Sequence, residues 1–394
     1  MNGQLALECI LIADDLTGAC DTGVQFARHG FSSEVWVDPS HAVNQAAEVV
    51  AFNTGSRGDE ITAARVKIRR IADLCSDIKP RILFKKIDST LRGNVGQEVA
   101  ATMRCFRRDC AIVAPAFPAM GRTVRNGILE WKDCSGAGGV DIQELLEQQG
   151  IPPQRIVRAS VAAHDAAGFE ALLRTRNANP GMFILVDSAE QEDLKILVSR
   201  AYHLRQHLLW VGAAGLGIAL AGQRGNSAAK QSAKQSRTSP KDAALLFWIG
   251  STHPATQRQR DALLKDSAAI EIVAGPGTVA IARRAIQEKR CLIVKVEREY
   301  ATRHSLDVFL KGLRDLPLAG MLFTGGDTAT LVCHCLGAYA IRLLDEIAPG
   351  MPWGTLCGGS FDGLPVVTKA GGFGGRDALL HCAEFFGLRR KVMA

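Results

Sequence analysis

Arg81–Gln97 reads RILFKKIDSTLRGNVGQ: an apolar run, then two lysines, an aspartate, two hydroxyls, an arginine and an asparagine, then a segment able to start a helix. The apolar run has the length and continuity of a strand buried on both faces. Gly93 and Gly96 permit a tight turn into the following helix. A strand that ends this way delivers Lys85, Lys86, Asp88, Ser89, Thr90, Arg92 and Asn94 into one turn. In an α/β sheet, ligands bind in the crevice beyond the carboxyl ends of the strands. Cations, a carboxylate, hydroxyls and an amide together suit a small polyhydroxylated anion. A solvated turn is the bland alternative, and it rarely mixes so many polar types. Alternation along the strand places Lys86, rather than Lys85, with Asp88.

Outward from that stretch, strands and helices alternate. The run 9–13, CILIA, reads as a buried parallel strand, followed by Asp14-Asp15-Leu16-Thr17-Gly18 and an amphipathic helix. One acidic residue can N-cap that helix, which leaves the other unexplained. Two carboxylates at a strand end can bind hydroxyls or take a proton, and Asp21 is a further candidate for the same crevice. EVWV (34–37) and VVAF (49–52) read as strands, with a helix over 61–77. Arg57, in the turn Asn53–Arg57, can grip a carboxylate through two parallel hydrogen bonds. AIVA (111–114) leads into a Pro/Gly-rich turn, 115–123, expected to line the crevice. Further strands are expected at 182–186 and 208–212. The glycines at 212, 215 and 217 have the wrong spacing for a dinucleotide fingerprint.

Residues 223–243, QRGNSAAKQSAKQSRTSPKDA, lack apolar periodicity and read as a flexible linker. Beyond it, strands are expected at 245–250, 269–273, 291–295, Met321–Thr324 and 366–368, with helices near 277–288, 303–313 and 327–340. Ser251 or Thr252 can cap the helix after the first of these strands. Two glycine-rich turns follow strands here. One is Thr324-Gly325-Gly326-Asp327-Thr328, at a helix start where free N–H groups attract phosphate. The other is Lys369-Ala370-Gly371-Gly372-Phe373-Gly374-Gly375. Neither matches the P-loop pattern, yet the pair favours nucleotide binding over ordinary turns. The expectation is two α/β domains with largely parallel sheets, 1–222 and 244–394, joined by the linker 223–243, with the active site in the interdomain cleft.

Bulk properties narrow the class. The chain has 394 residues, 47% hydrophobic and 22% charged, enough for two domains with sizeable cores. No stretch is apolar for 18 residues and the N-terminus shows no signal-peptide pattern, so a cytoplasmic protein off the membrane is expected. The formal charge of +7 resides in the linker (Arg224, Lys230, Lys234, Arg237 and Lys241 against Asp242) and in Arg389, Arg390 and Lys391. The rest is formally neutral, which argues against nucleic acid. Eleven cysteines without CxxC spacing fit reduced, buried thiols. Cys333-His334-Cys335 and the pair His203 and His207 read as packing and helix surface rather than metal ligands.

With these pieces assembled, the chain resembles the four-carbon acid sugar kinase family over nearly its whole length. The resemblance rests on IADDLTGACDTGVQFA, TGSR, KKIDSTLRGNVGQE, APAFPAMGRT, GAAGLG, IGSTHPATQRQ, TGGDTAT and TKAGGFGG, in that order. Members phosphorylate the 4-hydroxyl of threonate, erythronate or 3-oxo-tetronate with ATP, binding the acid in the N-terminal domain and ATP in the C-terminal one. The resemblance implies that Asp14, Asp15, Arg57, Lys86, Asp88, Ser89 and Arg92 shape the acid pocket. It implies that Ser251, Gly325, Gly326, Asp327, Thr328, Gly371 and Gly372 contact ATP. The expected base is Asp15 by preference, or Asp88, with Lys86 or Arg92 stabilising charge. Mg²⁺ accompanies ATP, with Asp327 a candidate ligand. Two departures from the family pattern bear on the site, the first leaving the acid open and the second removing a hydroxyl near the phosphates. VRNGILEWKDCSGAGG replaces a longer segment ending in Asp-Pro, and Ala370 stands where Ser is expected. The rival classes are a non-catalytic sugar-acid sensor and a nucleotide-dependent oxidoreductase. The expected partners are the acid and ATP; a homo-oligomer is compatible with all of this.

Overall fold

A computed structural model describes residues 7–39, 47–133, 136–175, 180–223, 243–267, 269–288, 291–296 and 303–387. It divides into two compact units, Met1–Val35 with Pro39–Ala229, and Trp36–Asp38 with Lys230–Ala394. Apart from its end residues, the linker expected over 223–243 lies outside the described residues, as do the tail cations at 389–391.

The first unit runs β1 (Cys9–Ala13), α1 (Leu16–Ala27), β2 (Ser33–Trp36), β3 (Val49–Asn53), α2 (Ile61–Leu74), β4 (Ile82–Lys86), α3 (Val95–Cys105) and β5 (Cys110–Ala114). It continues with β6 (Arg122–Arg125), β7 (Ile128–Asp133), β8 (Gly136–Asp141), α4 (Ile142–Gln148), β9 (Ile156–Ser160), α5 (Ala166–Arg174), β10 (Met182–Asp187), α6 (Gln191–Ala201), β11 (Leu208–Gly212) and α7 (Ala214–Gly222). Its main sheet has the order β2-β3-β1-β4-β11-β5-β10-β9. The α/β class expected from the sequence holds. β1 and β4 are buried at every position, as strands covered on both faces must be. Each fully buried Val, Leu, Ile or Phe there contributes about 1.5–3 kcal/mol. Parallel register aligns the strand ends: Ala13 stands opposite Asn53 on β3 and Lys86 on β4, and Gly212 of β11 stands opposite both Lys86 and Ala114. The turns after these strands therefore emerge at one edge.

A three-stranded antiparallel sheet, β6-β7-β8, occupies the segment that departs from the family pattern. Its signal was local: Asn126-Gly127, both at positive φ, is the sequence of a two-residue hairpin. The Asp187 carboxylate accepts from both turn amides, at 2.9 and 2.8 Å.

The second unit comprises β12 (Ala244–Ile249), α8 (Pro254–Asp266), β13 (Ile270–Val273), α9 (Val279–Gln287), β14 (Leu292–Lys295), α10 (Arg303–Lys311), β15 (Leu318–Thr324), α11 (Gly326–Leu336), β16 (Ala340–Glu346), β17 (Pro352–Cys357), β18 (Pro365–Lys369) and α12 (Ala378–Phe385). The sheet order is β13-β14-β12-β15-β18-β17-β16, parallel as far as β18 and antiparallel beyond it. The helix expected over 327–340 stops at Leu336, because Gly337 takes a left-handed conformation and Ala340 begins β16. Here too the register gathers the turns. Thr324 of β15 stands opposite Ile249 on one side and Lys369 on the other.

Candidate active site

At the edge of the first unit the acidic pair and the KKIDST turn meet around Arg57. Its Nε and Nη2 donate to Asp14 Oδ2 and Oδ1, both at 2.9 Å, a bidentate grip. Nη1 donates to Asp15 Oδ2 at 2.9 Å and lies 3.4 Å from Asp88 Oδ2. The carboxylate that Arg57 grips is thus the protein's own. Asp88 in turn receives Arg92, with Nε on Oδ1 at 2.9 Å and Nη2 on Oδ2 at 2.7 Å. Thr90 adds its hydroxyl at 2.6 Å and its amide at 3.0 Å. Among the described residues Arg92 Nη1 has no protein partner, and the Arg92 side chain is 68% exposed. Ser89 is half-buried in the same turn. Leu91, buried at the centre of that turn, holds φ at 62°. Such strain in a bulky residue costs about 1–3 kcal/mol and gathers at functional sites.

The two adjacent aspartates do different work. Asp15 is the N-cap of α1: its Oδ1 accepts from the Gly18 amide and its Oδ2 from the Thr17 hydroxyl, each at 2.8 Å. Asp14 has Arg57 as its hydrogen-bond partner. Burial pushes the Asp14 carboxyl above the ordinary carboxylate range; Arg57 pulls it down and the Asp15 charge pushes it further up. Burial also acts to raise Asp88, but the hydrogen bonds from Arg92 and the charge of Arg57 outweigh it and hold Asp88 well below the usual range. Burial works against the Arg57 charge, yet Asp15, Asp14 and Asp88 keep its guanidinium protonated well above its ordinary value.

Adjacent residues on a strand leave on opposite faces, which separates the two lysines. Fully buried Lys85 pairs with Glu98 of α3 at 2.8 Å. The other Glu98 oxygen accepts the Ser56 hydroxyl at 2.8 Å, so the pair anchors the turn that carries Arg57. Lys86 Nζ donates to the Ile87 carbonyl and lies beside Gly18. A Cβ at Gly18 would stand 2.5 Å from Asp15 Oδ1 and 3.0 Å from Lys86 Nζ. Asp14, Asp15, Arg57, Lys86, Asp88 and Arg92 are therefore brought together. No local pattern singles out Glu98 or Ser56, which meet each other 42 residues apart in the chain.

In the second unit, Ser251, the Gly325 turn and the 370–375 loop converge at the aligned strand ends. A Cβ at Gly371 would stand 2.2 Å from Ser251 Oγ, and one at Gly325 would stand 3.7 Å from Ser251 Cβ. Only glycine permits that approach at 371. Gly325, at φ 90°, precedes α11 without a side-chain cap, so the helix begins with uncapped N–H groups. Gly326 is half-buried, Asp327 exposed and Thr328 buried. Gly372 faces His253, whose Nε2 would lie 3.2 Å from a Cβ there. Lys369, by contrast, is fully buried and turned inward. Among the described residues no group of three or more side chains could hold a metal ion, and no helix is long and apolar enough to cross a membrane.

Comparison with known proteins accords with this layout. A family model described as a sugar-binding N-terminal domain matches residues 9–220, and one described as a nucleotide-binding C-terminal domain matches 246–379. A D-threonate kinase of Salmonella typhimurium is 32% identical, covering 96% of this chain and 99% of its own. A D-erythronate kinase of Heliobacterium modesticaldum is 27% identical over 95% and 96%. A 3-oxo-tetronate kinase of Pectobacterium atrosepticum is 25% identical over 95% and 98%. A solved chain from Salmonella typhimurium LT2 shares the fold, with a TM-score of 0.75 at 17% identity over 97% of this chain and 100% of its own. With both of its domain models matched in order and relatives aligned end to end, the chain belongs to the four-carbon acid sugar kinase family.

Proposed function

We infer that this chain is an ATP-dependent kinase that phosphorylates the 4-hydroxyl of a four-carbon sugar acid. D-threonate is the first acid to try, since the D-threonate relative is 32% identical against 27% and 25% for the other two. The observation that carries the reading is the meeting of Ser251, Gly325 and Gly371 beside an uncapped helix start, an arrangement suited to phosphate. The aspartate–arginine cluster of the first unit supplies the acceptor half.

Phosphoryl transfer asks for positioning and charge neutralisation more than covalent chemistry. The O4–Pγ bond forms as the bond from Pγ to the bridging oxygen breaks, and the hydroxyl proton passes to a carboxylate. We assign that proton to Asp14, whose raised pKa suits a base better than the depressed one of Asp88. The sequence favoured Asp15, but its carboxylate is engaged in starting α1 and holding Arg57. Lys86 is assigned to charge on the transferring group, and Arg92 Nη1 with Ser89 to the acid's carboxylate. Mg²⁺ supplies neutralisation of the phosphate charge when bound with ATP. Asp327, an exposed hard-oxygen donor at the start of α11, fits the single-carboxylate contact common for that ion.

An assay of ADP formation tests this over D-threonate, erythronate and 3-oxo-tetronate with ATP and Mg²⁺. Turnover with one acid and not in its absence is expected. Nucleotide binding without turnover on any acid would overturn the kinase reading, and acid binding without nucleotide binding would favour a sensor.

A further inference from the structure

Lys369 ends β18 and precedes a glycine-rich loop, where a lysine invites reading as a direct phosphate contact. Its geometry is different. Lys369 Nζ donates to the carbonyls of Ala370 at 3.0 Å, Gly371 at 3.4 Å and Phe373 at 3.0 Å, and to Thr256 Oγ1 at 3.4 Å. Gln259, 1% exposed on α8, donates through Nε2 to the carbonyls of Phe373, Gly374 and Gly375 at 3.0, 2.8 and 3.0 Å. The Thr256 hydroxyl donates to the Gly371 carbonyl at 2.8 Å. Five carbonyls of one loop thus point inward onto two side chains and a hydroxyl.

The peptide bond supplies the consequence. In a trans peptide the C=O and the following N–H point in opposite directions, and no described peptide is cis. Inward carbonyls at 370, 371, 373 and 374 therefore turn the N–H groups of Gly371, Gly372, Gly374 and Gly375 outward. Among the described residues the amides of Gly371 and Gly372 have no protein acceptor. Successive outward amides form an anion-binding concavity, and Gly371 brings this one against Ser251.

We propose that Lys369 and Gln259 are positioning residues for nucleotide: from inside the loop they orient four glycine amides toward the phosphates without touching them. The proposal rests on the nucleotide reading above. It is tested in the full chain by steady-state kinetics and by titration with a fluorescent ATP analogue, comparing wild type, Lys369→Met and the milder Gln259→Leu. Both variants are expected to raise the KM for ATP by about tenfold or more, the equivalent of one lost hydrogen bond to a charged group. The KM for the sugar acid is expected to stay within about twofold of wild type, since the acid's binding groups are on the other unit. Wild type that fails to bind the analogue would remove the nucleotide reading itself. Wild type that binds, with both variants binding equally well, would overturn the positioning role alone. Loss of acid binding in both variants would also overturn it, marking the cage as a folding element.

Discussion

The two candidate ligand sites are built differently, one from charged side chains and the other from a glycine-rich loop. In the first unit, charged side chains face one another across the ends of β1 and β4, where Asp14, Asp15 and Asp88 all meet Arg57. In the second, the charge of Lys369 is withdrawn behind the loop, onto the backbone carbonyls of Ala370, Gly371 and Phe373. A sugar acid differs from its isomers by the placement of hydroxyls, which directional side chains can discriminate. A triphosphate is the same in every nucleotide, and backbone amides suffice for it.

The sharpest way to break this comparison is at Asp14. Asp14→Asn is expected to lower kcat by about 10²–10⁴-fold, the usual worth of a general base, with the KM for ATP little changed in steady-state kinetics. A kcat/KM profile that falls on the acid side, at a pKa above the ordinary carboxylate value, would accompany it in wild type. If Asp15→Asn proves the more damaging substitution, the assignment is reversed. Asn also caps helices well, so Asp15→Asn is expected to shift stability by less than about 1 kcal/mol in urea unfolding.

Next in size is the Lys85–Glu98 pair. Lys85→Met leaves Glu98 charged and buried, and is expected to cost about 3–5 kcal/mol in urea unfolding. The double variant with Glu98→Gln should recover part of that loss. Gly371→Ala acts on the other unit. Its Cβ would press on Ser251 Oγ, and overpacking of this kind costs about 1–3 kcal/mol. The KM for ATP should rise while that for the acid holds. The smallest effect concerns acid stability. Asp88 has a lowered pKa in the folded chain, so its stabilisation is full above the unfolded value of about 3.9 and is lost as pH falls through and below it. Asp88→Asn should therefore be less stable than wild type at pH 7, with the gap closing at low pH.

Much of this was legible because polar residues at strand ends announce themselves. Asp14-Asp15 after CILIA, and Lys86 through Arg92 after ILF, needed only the rule that parallel strands deliver their turns to one edge. Which aspartate caps α1 was not legible, because either position can supply an N-cap and only the backbone at Asp15 decides it. Lys369 shows the harder limit. Its local context resembles a phosphate-binding lysine, while its orientation depends on Thr256 and Gln259, each more than 100 residues away. The hairpin at 126–127 was the reverse case: a strong local turn signal inside a segment otherwise read as a departure. The start of strand β16 was hidden because the helical pattern of α11 ran on past Gly337, whose left-handed turn ends the helix.

The proposed reaction moves a phosphoryl group from ATP to the terminal hydroxyl of a four-carbon acid. Phosphorus NMR of one reaction with D-threonate, ATP and Mg²⁺ tests it most directly. A new phosphomonoester signal is expected, growing as ADP forms and split into a triplet by the two protons on C4. A doublet would place the phosphate on a secondary hydroxyl, and no ester signal with D-threonate, erythronate or 3-oxo-tetronate would rule the reaction out.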